Sequence, residues 1–474
     1  MTLEEYFQTP QAERILLIEI VRNDVSSTTY YLSDSDYITE NDDTPANLFY
    51  SPVIGGTGLS DIRKVLNDPF SGQASTGFGE ITLVDDQVWT SISGSFSEET
   101  INLVRGATVT AWLAGPPRVY SRADAIQLLK GKVGRVGGSS DGSLRFEIVD
   151  GSQEIQRPIV TVSDKPLCFG YCRNIQPFLT NPASLEYHVH DGAIEAVVAV
   201  YDQGALLTLT TDYTVDLSTG KITLTGSPVG IVTADVKGAQ VSGTWLDSTE
   251  EIASELISRS GVSIAQTYNI PTGVVGLYVT ESTALGDLLN RIMVSCAAYW
   301  LIDENNEFLA AQYPVPQESA AVGSFTSLSE LSEIRYQAED RLYSDLNYSY
   351  RKNWTQYQSR PAASTAQASF SERLYLSATE TATGLDSELE YQESPFFETL
   401  FDEQADAQAV SQRLLSIYAQ ERKLLEVDLP YTAALKLGEN ISVEFGVELM
   451  IGAVVSVIDI FDGGYPIQRV MILV

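Results

Sequence analysis

Short apolar segments with an alternating pattern recur along the whole chain and constrain its fold more than any other feature. Residues 15–21, 107–113 and 144–149 are rich in β-branched side chains and lie close to Gly, Asp, Asn or Ser. This pattern is typical of strands that bury one face in an antiparallel sheet. The sequence therefore predicts a mainly β fold.

Helical periodicity is confined to a few segments. Apolar residues share one helical face at 252–257, directly after the helix caps Ser248 and Thr249, and again at 285–293 and 403–422. A shorter helix is predicted at 122–129. These helices are too few to form layers of their own, so we expect them to pack on sheets.

The length of the chain requires several hydrophobic cores, because 474 residues exceed what one core usually supports. We predict a mainly β protein with α+β modules, in which two related β-barrel domains are joined by a β-sandwich module and a small α+β module. A polar, glycine-rich segment at 55–79 is predicted to be an excursion from the first barrel that forms contact loops or a mobile segment. The predicted domains are 1–162 with the insertion 55–79, 163–240, 241–324, and 325–474 with the helix 403–422.

The charge of the chain excludes one large class of function. Its formal net charge is −34, whereas binding to nucleic-acid phosphates needs clustered Lys and Arg. No apolar run approaches the roughly 20 residues of a membrane-spanning helix, and residues 1–20 lack the pattern of a signal peptide. With three cysteines, too few for a disulfide framework, we expect assembly in a reducing cytoplasm.

Motifs for catalysis are missing, so we predict neither enzymatic activity nor a cofactor. The sequence has no Gly-x-Ser-x-Gly motif, no Walker loop and only two histidines. Cys168, Cys172, His188 and His190 would make a complete zinc set, but their spacing matches no common zinc finger. The alternative is that the two histidines share a strand face and form hydrogen bonds at a module boundary, with the cysteines as packing residues.

An acidic cluster near the start of the chain suggests calcium at first sight. Asp34, Asp36, Asp42 and Asp43 lie close together in the sequence. The central glycine and terminal glutamate of a calcium-binding EF-hand loop are missing, however. A flexible acidic loop is therefore the favoured interpretation.

Several segments resemble, in order, the hub proteins of bacteriophage tails. Tyr-Cys-Arg-Asn-Ile-Gln-Pro at 171–177 carries the resemblance, and 103–109 is also similar to 435–441 within this chain, as related barrels would be. The resemblance covers most of the chain beyond residue 80. The further matching segments are 185–192, 200–204, 232–238, 339–354 and the closing 435–474.

The resemblance implies a structural protein of the virion, located at the tail tip. Members of this family are homotrimers whose paired tube-like barrels adapt a sixfold tail tube to a threefold tip. The implied partners are the distal tail protein ring, the tape measure protein, and a tail fibre or central spike. DNA would pass through the lumen without sequence-specific binding.

Under this hypothesis the site residues are interface residues. Ile81, Val84, Ile441 and Val443 are predicted on strands that meet the tail ring, and the segment from Gly55 to Gly79 is predicted to contact neighbouring proteins. One alternative is the hub of a phage-derived gene-transfer or secretion particle. Another is a carbohydrate-binding or carbohydrate-cleaving tail-tip receptor protein, suggested by three aromatic residues near predicted loops, Trp89, Trp112 and Trp354.

Overall fold

The protein is described by a computed structural model that is built mainly of strands, with few helices. The prediction of a mainly β protein with α+β modules is therefore confirmed. The structure describes residues 1–7, 9, 12–22, 28–84, 104–138, 143–159, 165–326, 334–339, 341–356, 365–431, 435–445, 448–461 and 466–474. Within these ranges no helix is both long enough and apolar enough to cross a membrane.

The N-terminal region forms one large sheet. Its elements are α1 (Leu3–Phe7), β1 (Ile15–Val21), β2 (Thr29–Ser33), β3 (Tyr37–Ile38), β4 (Phe49–Pro52), β5 (Ile54–Leu59), β6 (Ile62–Leu66), β7 (Ala74–Gly77), β8 (Glu80–Leu83), β9 (Thr108–Ala114), β10 (Ile126–Gly138), β11 (Leu144–Val149), α2 (Ser152–Ile155) and β12 (Pro158–Ile159). Nine strands follow the order β3-β4-β2-β1-β9-β10-β11-β8-β5. The sheet thus ends at β3 and at β5.

The helix predicted at 122–129 is wrong. Arg122–Asp124 makes a single 3-10 turn, and Ile126 already begins β10. Residues of β10 pair with β9, where Ile126 lies opposite Leu113. The long-range ladder therefore overrides the local helical periodicity.

The central region contains two facing sheets. Its strands are β13 (Leu167–Ile175), β14 (Phe178–Asn181), β15 (Glu186–His188), β16 (Ile194–Asp202), β17 (Ala205–Leu206), β18 (Tyr213–Asp216), β19 (Lys221–Leu224), β20 (Val232–Val241) and β21 (Thr244–Trp245). One sheet contains β17-β16-β20-β13, and the other is β14-β15-β19-β18. Both contribute to one core, which includes Ile175, Val200 and Ile222.

Two helices packed near a hairpin follow. The elements are α3 (Thr249–Arg259), β22 (Gln266–Asn269), β23 (Gly276–Val279), β24 (Thr283–Ala284), α4 (Leu285–Ser295), β25 (Ala298–Ile302) and β26 (Phe308–Gln312). Ser248 caps α3 as predicted, and its hydroxyl accepts from the backbone N–H of Glu251. Strand β23 joins the central sheet by pairing with β13.

The C-terminal region forms a second large sheet. Its elements are β27 (Ser324–Thr326), β28 (Ile334–Glu339), β29 (Asp345–Tyr350), α5 (Thr365–Ser371), β30 (Leu376–Thr381), α6 (Gln404–Tyr418), β31 (Arg422–Pro430), β32 (Asn440–Phe445), β33 (Glu448–Ile460) and β34 (Ile467–Leu473). The order is β27-β32-β33-β34-β31-β28. Helix α6 confirms the helix predicted at 403–422, although it ends at Tyr418.

Within the segment 55–79, residues 62–77 do leave the N-terminal sheet between β5 and β8, but they form a hairpin and not contact loops. Most of it is in β5, β6 and β7, and the hairpin β6–β7 adds to the C-terminal sheet because β6 pairs with β33. Val65 lies opposite Ser456, and Ile62 lies opposite Asp459. N-terminal residues thus complete a C-terminal sheet. The domain boundaries predicted at 162, 240 and 324 stay predictions.

A turn with the same hydrogen bonds occurs in both large sheets. Before β9, the Gly106 N–H donates to Val133 O (2.7 Å), and the Val133 N–H donates to Ala107 O (2.9 Å). Before β32, the Gly438 N–H donates to Val454 O (2.8 Å), and the Val454 N–H donates to Glu439 O (2.8 Å). Both glycines have positive φ, which favours glycine. The resemblance between 103–109 and 435–441 thus has a structural counterpart from residue 104 onwards.

The strands after these turns match in register as well. Gly131 of β10 lies opposite Val109, and Gly452 of β33 lies opposite Ile441. Strands β10 and β33 have 13 residues each. Strand β10 has a one-residue bulge where it pairs with β11, and β33 has one where it pairs with β34. The three strands β9-β10-β11 and the three strands β32-β33-β34 are therefore equivalent units around these glycines, although β10 has a further register shift against β9, between Gln127 and Leu129, that β33 lacks against β32.

We predict that the paired glycines are needed for this close packing. A Cβ at Gly131 would lie 2.6 Å from Val149 O, and one at Gly452 would lie 2.6 Å from Leu473 O. Gly131→Ala and Gly452→Ala should each lower the free energy of unfolding by about 1–3 kcal/mol through overpacking. Gly137→Ala is the matched control, since nothing lies within 4 Å of its Cβ position. Equal urea midpoints for all three variants would contradict the prediction.

Candidate functional site

Segments that carry the resemblance meet in the middle of the molecule. Arg173 and Asn174 come from 171–177, Tyr201 from 200–204, Asp235 from 232–238, and Asn353 from 339–354. Their polar groups form two neighbouring hydrogen-bonded sets between β13, β16, β20 and the chain after β29, one around Arg173 and one around Asn174. We call these five residues together with Asp402 the motif junction.

An ion pair anchors one side of the motif junction. The Arg173 guanidinium donates to both carboxylate oxygens of Asp402, at 2.6 and 2.7 Å. Burial alone would lower the pKa of Arg173, but the hydrogen bonds to Asp402 outweigh it and hold that pKa above its usual value. Asp402 is 4% exposed. The bidentate pair therefore connects β13 to the segment that leads into α6.

Asn174 connects the other side. Its backbone N–H donates to Asp235 Oδ1 (2.7 Å), and its side-chain amide donates to Asn353 Oδ1 (2.6 Å). The Tyr201 hydroxyl donates to Asp235 Oδ2 (3.1 Å). Burial raises the pKa of Asp235, although the hydrogen bond from Asn174 and the charge of Arg173 oppose the shift. These polar groups are bonded to one another, which suits a scaffold that fixes the modules.

We predict that the motif junction carries a large share of the stability. Arg173→Ala leaves the Asp402 carboxylate buried without its main partner, which should cost about 3–5 kcal/mol of unfolding free energy. Arg63→Ala is the control, because its pair with Asp61 is largely exposed and should contribute at most about 1 kcal/mol. Both values follow from denaturant titrations. Similar losses in the two variants would refute the special role of Arg173.

A second group of charges surrounds the hairpin β6–β7. Lys64 Nζ lies 2.6 Å from Glu304 Oε2. Asp459 is buried on β33 and accepts a hydrogen bond from Gln468 Nε2 (2.8 Å). Burial raises the pKa of Asp459, partly offset by Lys64 and Gln468, and Glu304 adds to the rise. These charges lie where the N-terminal hairpin, the β25–β26 turn and the C-terminal sheet meet.

The raised pKa of Asp459 predicts a pH dependence. A carboxyl group whose pKa is higher in the folded state than in the unfolded state contributes to the stability of the folded protein at low pH. This contribution is complete below the unfolded pKa and is lost as the pH rises through the folded pKa. The urea midpoint of unfolding of the Asp459→Asn variant should therefore increase relative to that of the wild type as the pH rises from about 4 to about 7. Asp42→Asn, at an exposed position, is the control. A pH-independent difference for Asp459→Asn would contradict the prediction.

The four candidate zinc residues take part in hydrogen bonds with protein groups. The Cys168 N–H donates to His190 Nδ1 (3.0 Å), while His188 Nδ1 lies 2.7 Å from Thr180 Oγ1. Cys172 is buried, and its thiol donates to Phe169 O (3.3 Å). Burial lowers the pKa of His190 to about 4. Among the described residues no group of three or more His, Cys, Asp or Glu is arranged to hold a metal ion. The hydrogen bonds of both histidines agree with the alternative interpretation, although His188 lies on β15 and His190 beyond its end.

The acidic residues near the start lie in the turns before β3 and between β3 and β4, and two of them bind backbone groups. Asp34 Oδ1 accepts from the Leu16 N–H (2.9 Å), and Asp43 Oδ1 accepts from the Arg122 N–H (2.9 Å). These carboxylates bind backbone groups of different strands and turns. Asp36 and Asp42 remain exposed.

Three of the predicted interface side chains face the core. Ile81, Ile441 and Val443 are fully buried within the single chain, so these side chains are not available to a partner. Successive side chains of a strand point to opposite faces of the sheet, and these three lie on the inner face.

The predicted interface residues at the β5–β8 edge are different. Val84 follows β8 and is 52% exposed. A Cβ at Gly55 would overlap its side chain, so Gly55 and Val84 lie together near the end of the nine-stranded sheet. Gly79 makes the turn into β8, with positive φ. A ring contact through Val84 and Gly55 stays a prediction.

The three tryptophans identified in the sequence differ in their positions. Trp89 lies outside the described residues. Trp112 is covered by Arg122, whose guanidinium carbon is 4.1 Å from the ring centroid. Trp354 lines an open cleft of about 1190 Å³. Of the two tryptophans in this set that the structure describes, Trp354 is therefore the one placed to meet a ligand.

Comparison with solved structures gives matches along most of the chain. The tail protein from Neisseria meningitidis MC58 is 7% identical, with 97% of this chain and 96% of that chain covered and a TM-score of 0.46. The 43 kDa tail protein of prophage MuSo2 from Shewanella oneidensis is 9% identical, with 97% and 96% covered and a TM-score of 0.46. A chain of the gene transfer agent virion is 12% identical, with 66% and 85% covered and a TM-score of 0.46.

These matched proteins are tail or virion components, the class that the sequence resembles. No protein-family model and no curated protein matches the chain. We therefore infer the function from the contacts within the chain and from the resemblance of its sequence.

Proposed function

We propose that this protein is a structural hub at the tail tip of a tailed bacteriophage, and that it acts as a homotrimer. It would seat on the distal tail protein ring, enclose the end of the tape measure protein, and anchor a fibre or central spike. No catalytic step is part of this role. The proposal draws on the resemblance of the sequence and on the repeated architecture of the chain.

The observation that carries the proposal is the equivalence of β9-β10-β11 and β32-β33-β34. The two units share the glycine turn, the register and the bulge. A tube end with sixfold symmetry presents six equal edges, and a trimer meets all six only if each chain offers two similar surfaces. A chain with two equivalent sheet units supplies such surfaces.

The rigid connection between the two large sheets also supports an adaptor. The hairpin β6–β7 belongs to the C-terminal sheet while β5 and β8 belong to the N-terminal sheet. The motif junction ties the central sheets to the chain before α6. Both ends would therefore keep a fixed spacing when the tail ring binds.

The charge of the chain fits the passage of DNA. With a net charge of −34, a trimer would repel phosphates from its inner surface, so DNA would slide through without sticking. In this role the lumen opens on infection, and no sequence-specific contact is required.

The mass of the purified protein, alone and with the distal tail protein, tests this proposal. We expect a trimer, either free or formed on the ring. Val84→Asp should weaken binding to the ring at least about tenfold, or roughly 1.4 kcal/mol, because a charge would replace an apolar contact. Val229→Asp is the control, since Val229 is 86% exposed on the central module. A monomer that ignores the ring would sink the proposal.

A further inference from the structure

An open cleft of about 1190 Å³ lies beside Trp354, between β14, the loop before β20 and the segment after β23. A smaller cleft of about 500 Å³ adjoins it, and the two share Trp354 and Arg291. Clefts of this size exceed what packing defects leave and match those that hold organic ligands. Neither cleft belongs to the motif junction, although Trp354 directly follows Asn353.

Trp354 is held rigidly between the two clefts. Its backbone N–H donates to Arg173 O (3.2 Å), and the Asn353 N–H donates to Leu374 O (2.8 Å). The indole packs edge-on against Tyr278 (6.1 Å between centroids), and Lys352 Nζ lies 5.0 Å from its ring. The indole N–H has no hydrogen-bond partner among the described residues. A fixed, half-buried indole offers a ligand both an apolar surface and a donor.

The polar lining is balanced in charge and in hydrogen bonding. Glu281 and Arg291 contribute one charge of each sign, and Gln176 and Thr280 contribute an amide and a hydroxyl. All four side chains are exposed, and none has a hydrogen-bond partner within the described part of the chain. The cleft therefore offers donors and acceptors without favouring a charged ligand.

We infer that the cleft beside Trp354 binds an uncharged polysaccharide. Sugar hydroxyls both donate and accept hydrogen bonds, which matches Gln176, Thr280, Glu281 and Arg291. The C–H face of a sugar ring suits the indole of Trp354. This binding role stands apart from the hub proposal and would give the tail tip a contact with a glycan surface.

An extended peptide is the competing ligand, because β14 is the last strand of its sheet. This edge is poorly suited to strand addition. It has four residues, it follows Pro177, and its register shifts between Leu179 and Asn181. Short and irregular edges discourage pairing. The observations therefore favour the glycan.

The test uses the full chain and an array of bacterial surface polysaccharides, neutral and acidic, followed by titration of the bound glycans. We expect at least one neutral polysaccharide to bind and to change tryptophan fluorescence. Trp354→Phe, which keeps an aromatic ring in the core, should weaken binding at least about tenfold, and Arg291→Ala at least about threefold. Trp112→Phe is the matched control and should bind as the wild type does.

Three outcomes would overturn the inference. They are no binding to any neutral polysaccharide, binding that Trp354→Phe and Arg291→Ala leave unchanged, and Trp354-dependent binding confined to acidic glycans or to peptides of the distal tail protein. Circular dichroism of each variant separates lost binding from lost folding. Failure here would leave the trimer and ring measurements untouched, because they do not involve the cleft.

Discussion

Pairing between β6 and β33 is the constraint on which the arrangement of the chain depends. The hairpin β6–β7 is connected to β5 and β8 by only a few residues, so its backbone hydrogen bonds to β33 fix one large sheet against the other. Backbone pairing resists shear along the strands, which flexible linkers do not. Three charged side chains surround this joint, those of Lys64, Glu304 and Asp459. Their net charge changes when a carboxylate among them takes up a proton.

The motif junction plays the matching part at the centre of the molecule. Its contacts are polar, although a hydrophobic interface would hold the modules together with similar strength. The polar contacts have a structural benefit. Bidentate pairing of Arg173 with Asp402 and the amide contact of Asn174 with Asn353 depend on direction, so they specify one orientation of the modules. Apolar contacts alone tolerate sliding. A part that must align two surfaces with one symmetric ring gains from such specificity.

The sequence predicted local structure well and long-range placement poorly. Strands, the cap of α3 and the helices α4 and α6 follow from periodicity, and the similarity of 103–109 and 435–441 pointed to the repeated turn. Alternation shows that a strand has two faces but not which face is covered, and the buried side chains of Ile81 and Ile441 therefore differ from the interface prediction. The partners of β6 and Arg173 lie hundreds of residues away, beyond the reach of any local pattern.

The hairpin also has a consequence for how the chain is made. Strand β6 is synthesised long before β33, because most of the other strands lie between them in the chain. Until then the edge of β6 lacks the strand that pairs with it in the native fold. Contacts of such high sequence separation slow folding and leave intermediates open to aggregation. The nascent chain thus carries one unpaired joint until β33 has emerged.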